Sequence, residues 1–110
     1  MKRLIMITSL LLTSLAIAGA GNKDEGEKKA QEVCQSCHGM DGQGINGTYP
    51  KLAGQFVDYM VKALMDYKSG DRKNAIMSGF AATLTEDDMK NVALYYSTLT
   101  ENRLHDLSIK

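Results

Sequence analysis

The chain has 110 residues, 44% of them apolar, with thirteen basic and thirteen acidic groups. That length accommodates one small domain. The even charge excludes a nucleic-acid binder, which needs a clustered basic surface. With two Phe and no Trp, the chain also has few large side chains with which to build a core.

Residues 1–20 open with "MKR", continue as the apolar run "LIMITSLLLTSLAIA" and end in small residues. This is the layout of a secretory signal peptide, with cleavage fitting after Ala18 or Ala20. The alternative is an uncleaved membrane anchor. Thr8, Ser9, Thr13 and Ser14 dilute the run, which is marginal against the about 20 apolar residues a spanning helix needs. No cysteine stands near its end for lipid attachment. Cleavage leaves 21–110 as one exported, periplasmic domain, with eleven basic groups against thirteen acidic. A chain of about 90 residues often needs a disulfide, a metal or a cofactor to complete its core.

A first helical pattern covers about Lys23 to Cys37, running into "CQSCH", which holds both cysteines and one of the two histidines. "GMDGQGINGTYPKLAG" follows, where five glycines and Pro50 dictate turns rather than strand. A second helix is expected from Gln55 to Lys68, with Phe56, Met60, Ala63 and Tyr67 as its apolar stripe. Gly70 in "SGDR" supplies its C-terminal cap. The span from Lys51 to Lys73 is locally basic and reads as an ordinary solvated face. "SGDRKNAIMSGFAATL" reads as a second loop. The third helix starts at Thr85, a good N-cap, with Glu86, Asp87 and Asp88 at the positive end of its dipole. Its stripe is Met89, Val92, Ala93 and Tyr96. Nothing alternates with period two, so the class is all-α. The tail from Thr100, with Leu104 and Leu107, is weakly amphipathic and is assigned no place.

Three chemistries suit Cys34, Cys37 and His38. A zinc site needs about four ligands, and His105 is the sole further candidate. A redox dithiol of the thioredoxin kind belongs with βαβ structure, for which there is no pattern. A Cys34–Cys37 disulfide would close too small a loop to stabilise much. Haem remains: C-x-x-C-H is the attachment signature of c-type haem. Cysteines three apart on a helix reach the two vinyl groups of one porphyrin, and His38 places a nitrogen on the iron. The disc would also supply the missing core.

For the second axial position the residues leave methionines, His105 or open coordination. Met60 and Met89 lie on core stripes, Met65 on another face, and Met40 is too close to His38 to pass the ring edge easily. Met77 lies 39 residues beyond His38 in an apparently irregular stretch, with small Ser78 and Gly79 beside it. It either ligates the iron or covers the haem edge.

At "CQSCHG", "TYPKLAGQ", "YMVKALMDYKSGDR" and "IMSGFAATLTEDDMKNVALYYSTL" the chain resembles a class I cytochrome c, of the small monohaem bacterial kind, over about Gly26 to Leu99. The resemblance implies a cytochrome c fold with three main helices wrapped around one haem c. It implies thioether bonds at Cys34 and Cys37, His38 and Met77 as the axial ligands, and the Pro50 carbonyl as acceptor for the other ring nitrogen of His38. Ala30 stands where many relatives carry an aromatic, so the crossing of the first and last helices should lean on Gly26 and Tyr96.

With both axial positions filled, the expected function is one-electron transfer by a soluble periplasmic carrier, not an enzyme. Its partners would be redox proteins, donor and acceptor, met in brief encounters across small interfaces. A membrane would be involved only through an uncleaved signal or a membrane-bound partner. Two alternatives stand beside this: a cytochrome subunit docked to a larger oxidoreductase, and a haem sensor whose distal position is open to small ligands.

Overall fold

The computed structural model describes residue 19 and residues 21–99; the signal-peptide assignment, His105 and the tail lie outside the described residues, Gly19 apart. Five α-helices follow in order: α1 (Lys23–Lys29), α2 (Gln35–His38), α3 (Val57–Ser69), α4 (Ala75–Ala82) and α5 (Glu86–Ser97). A π turn, Ala30–Cys34, joins α1 to α2 without a break, and a short 3₁₀ turn lies at Ile45–Gly47. Among the described residues there is no strand, and no helix is long and apolar enough to cross a membrane.

Asn22 caps α1 by accepting the Glu25 amide, while its own N–H donates to Asn91 Oδ1 at 2.7 Å, so the first helix is tied to the last where it begins. The two helices then cross at Gly26. A β-carbon there would stand 1.9 Å from the Asn91 carbonyl oxygen, so any larger residue forces the backbones apart. One turn on, Ala30 is buried with Met60, Ala93, Tyr95 and Tyr96. The expected support from Gly26 and Tyr96 is therefore present, with Asn91 and Tyr95 added to it. Small residues at 26 and 30 let α5 approach; an aromatic at 30 would have no space in this arrangement.

The expected stripe of α5, Met89, Val92, Ala93 and Tyr96, is buried throughout. Its N-terminus carries a reciprocal cap: the Asp88 amide donates to Thr85 Oγ1 at 3.1 Å, and the Thr85 amide to the Asp88 carboxylate at 3.0 Å. These bonds, with Lys29 3.7 Å away, hold the Asp88 carboxyl below its ordinary range.

Two expectations about helices need correction. The second helix begins at Val57, with Phe56 in extended conformation as its cap residue and 80% exposed, so Phe56 is not part of the buried stripe. The stretch after Gly70 is not all loop: Ala75–Ala82 is a helix, making four substantial helical pieces where three were expected. The Asn74 side chain accepts the Met77 amide at 2.9 Å and so starts α4. Gly70 ends α3 in a left-handed conformation, as expected.

Candidate functional site

The π turn delivers the C-x-x-C-H stretch. The Gln35 amide bonds to the Ala30 carbonyl, five residues back, inserting one extra residue in the turn just before α2. Such turns are rare and occur often at functional sites. Cys34 ends the π turn and Cys37 and His38 close α2, so all three reach one cavity of about 460 Å³. Both thiols are free and half-buried. Burial pushes the Cys34 thiol up to about 11, with Lys29 opposing weakly, so it is a neutral thiol at physiological pH.

His38 is 7% exposed and is the sole buried polar side chain among the described residues. Its Nδ1 lies 2.7 Å from the Pro50 carbonyl oxygen. A carbonyl only accepts, so Nδ1 is the donor, and in the neutral ring Nε2 is the nitrogen with the lone pair. The Tyr49 ring stands edge-on to the imidazole, with centroids 6.4 Å apart.

The loop bearing Pro50 folds back through glycines. The Gly44 amide donates to the His38 carbonyl at 2.9 Å, and Gly44, at φ +77°, brings its Cα so near the Tyr49 carbonyl that a β-carbon would meet it at 2.0 Å. From α5, the Tyr96 hydroxyl donates to the Gly39 carbonyl at 2.9 Å and the Tyr95 hydroxyl to the Met40 carbonyl at 2.7 Å. The two residues that follow His38 are thus held by a helix 55 and 57 positions away in sequence.

Met77 lines the same cavity from the first turn of α4, beside Ile76 and Phe80. Its main chain is fixed by the Asn74 cap rather than by the irregular stretch expected there. The five residues singled out in the sequence, Cys34, Cys37, His38, Pro50 and Met77, therefore share one space. Of the other methionines, Met60 also lines it, whereas Met40, Met65 and Met89 do not. The locally basic segment is divided among different contacts: Lys62 pairs with Asp66 at 2.6 Å, Lys68 donates to the Leu84 carbonyl, and Arg72 turns to Tyr59 and Tyr67.

Most of the lining is apolar, from Leu52, Ala63, Leu64, Leu84, Val92 and Ala93. No carboxylate lines the cavity, although it is bordered by Lys51 and Arg72. Size and lining belong to the class of small-molecule and cofactor sites. The donor set consists of two thiols, one imidazole with a free lone pair and thioethers. It fits a flat apolar group that bears a metal ion and can bond to two sulfurs. Haem c is such a group. Arg72 and Tyr59 were missed as site residues; the sole sequence signal was an arginine following a helix-ending glycine.

Known proteins resemble this chain over the same residues. The sequence profile of the cytochrome c family matches residues 24–100. Cytochrome c4 of Thiocapsa roseopersicina is 44% identical over 78 residues, covering 71% of this chain and 40% of that protein. Cytochrome c-554(548) of Halomonas halodenitrificans is 39% identical over 82 residues, covering 72% of this chain and 98% of that protein. The solved cytochrome c4 of Acidithiobacillus ferrooxidans superposes with a TM-score of 0.66 at 37% identity, over 76% of this chain and 52% of the other. The chain thus spans about half the length or less of the c4 proteins and nearly all of the c-554(548) protein.

Proposed function

This chain belongs to the cytochrome c family, and on that premise we propose that it is a periplasmic one-electron carrier with a single haem c. Cys34 and Cys37 would hold the group covalently, and His38 and Met77 would bind its iron. The observation that carries the reading is the convergence of both thiols, the lone-pair nitrogen of His38 and the Met77 side chain on one apolar cavity.

When bound, haem supplies an iron that alternates between Fe(II) and Fe(III). The chain's own residues set the terms of that change. The Pro50 carbonyl holds the His38 ring in one tautomer and orientation, and by accepting the hydrogen bond of Nδ1–H makes the imidazole a stronger donor. Met77 offers a soft thioether, which favours the reduced state and raises the potential. Leu52, Leu64, Leu84 and Val92 exclude water, which acts in the same direction. Hydrogen bonds from Tyr95, Tyr96 and the Gly44 amide brace the His38 segment on both sides. Ligands that do not move keep reorganisation small.

Export to the periplasm rests on the composition of residues 1–20, and partners are other redox proteins. The test is expression in a cell able to attach haem, followed by denaturing electrophoresis and by visible spectra of the oxidised and reduced protein. Colour should remain with the band, and the ferric spectrum should show the weak charge-transfer band of methionine-ligated iron. A colourless band overturns the reading.

A further inference from the structure

A second, open groove of about 310 Å³ lies where the last turns of α3 meet the first turns of α5, and it shares no lining residue with the cavity described above. Met65, Lys68 and Ser69 line it from α3, and Glu86 and Met89 from α5. Among the described methionines only Met65 is exposed, at 44%; Met60 and Met89 are buried, and Met40 and Met77 are half-buried. Lys68 stands three residues beyond Met65, on the same face of the helix. Its ammonium has three N–H donors, and one goes to the Leu84 carbonyl. The ion pairs among the described residues leave Lys68 out, and Glu86 is held by Lys90 at 3.3 Å. Leu84 is 2% exposed, follows the end of α4 and lines the cavity that Met77 shares. Lys68 therefore ties α3 to the segment that ends the Met77 helix.

A thioether is a weak hydrogen-bond acceptor and leaves that tie alone. Its sulfoxide is polar, with an oxygen that accepts strongly. We propose that Met65 is an oxidation site whose sulfoxide draws Lys68 away from the Leu84 carbonyl and so loosens the placement of Met77. The oxidant is hydrogen peroxide. Its O–O bond breaks, one oxygen bonds to Met65 Sδ and the other leaves as water; the sulfur loses the two electrons that the peroxide gains. Exposure directs the reaction to Met65, since burial shields Met60 and Met89. The effect on Met77 rests on the haem reading above, whereas the site of oxidation does not. A methionine sulfoxide reductase reverses the step.

The test treats the ferric holoprotein with hydrogen peroxide, for the parent, Met65→Leu and Lys68→Ala. Two readouts are followed: peptide mass mapping of the added oxygen, and the affinity for imidazole, which binds only the form with Met77 released. In the parent the first oxygen should map to Met65, and imidazole should then bind about fivefold more tightly, the factor for one net hydrogen bond. Met65→Leu conserves volume and should keep its affinity through the same treatment. Lys68→Ala should bind imidazole more tightly before treatment and gain nothing from it. Incubating treated parent with a methionine sulfoxide reductase should restore the original affinity. A first oxygen on another methionine overturns the site. Met65 sulfoxide with unchanged affinity overturns the link to Lys68, as does a gain in Lys68→Ala equal to the parent's. Parent protein without covalent haem would instead remove the reading beneath it; denaturing electrophoresis identifies that outcome, and the mass map still tests Met65.

Discussion

Replacing Asn74 with Ala tests whether the cap on α4 controls Met77, the proposed iron ligand. The Asn74 side chain accepts the Met77 amide at 2.9 Å, and this is the side-chain cap of an eight-residue helix. Removing an asparagine cap costs about 1 kcal/mol, within a range of about 0.5–2. The bond ends on Met77 itself, so the cost falls on the turn that places the thioether. If the cap acts on the balance between ligated and released Met77, about 1 kcal/mol increases the released population about fivefold, and the extremes give about twofold and thirtyfold. An external ligand binds only the released form, so its apparent affinity rises by the same factor. The assay is a cyanide or imidazole titration of the ferric holoprotein, with Asn74→Ser as the control that keeps a cap. The expected result is binding about fivefold tighter in Ala and near the parent in Ser. Unchanged affinity in Ala together with a lower melting temperature would refute the reasoning, because the cap would then support the fold without bearing on Met77.

Two further substitutions probe the frame. Gly26→Ala places a methyl group 1.9 Å from the Asn91 carbonyl and should destabilise the protein by at least about 1–3 kcal/mol, measured by denaturant unfolding of the holoprotein; a midpoint equal to the parent's would mean that α1 and α5 can separate freely. Asp88→Asn addresses pH: the folded carboxyl titrates below its ordinary 3.8, so its contribution is present above that value and is lost as pH falls through the lower folded value. The variant should be less stable than the parent at pH 7 and equal to it in strong acid, by thermal melts across pH; a constant difference at every pH would rule out the charge as the cause.

The helices were legible wherever sequence periodicity and chemistry agreed. Thr85 with Asp88, and the stripe from Met89 to Tyr96, announce α5 without reference to anything distant. The C-x-x-C-H stretch announces its own chemistry. Helix α4 was not legible because eight residues with Ser78 and Gly79 inside show little contrast between faces; the available signal was Asn74 as a cap ahead of Ala, Ile and Met. Phe56 looked like core because it is apolar and correctly spaced, but the helix starts one residue later and leaves it in solvent. The π turn has no local signature at all. Arg72 was counted as surface charge because its place at the cavity depends on a backbone reversal that brings it to Tyr59, thirteen positions earlier.

The hydroxyls of Tyr95 and Tyr96 close the site from the far end of the sequence, and Asn91 meets Asn22 across 69 positions. Contacts of such separation form late, since the loop between them must close first. As a ribosome makes this polypeptide, both thiols emerge well before the segment that will cover them exists. The topology thus keeps the strip that carries both thiols uncovered until the last turns of α5 are complete.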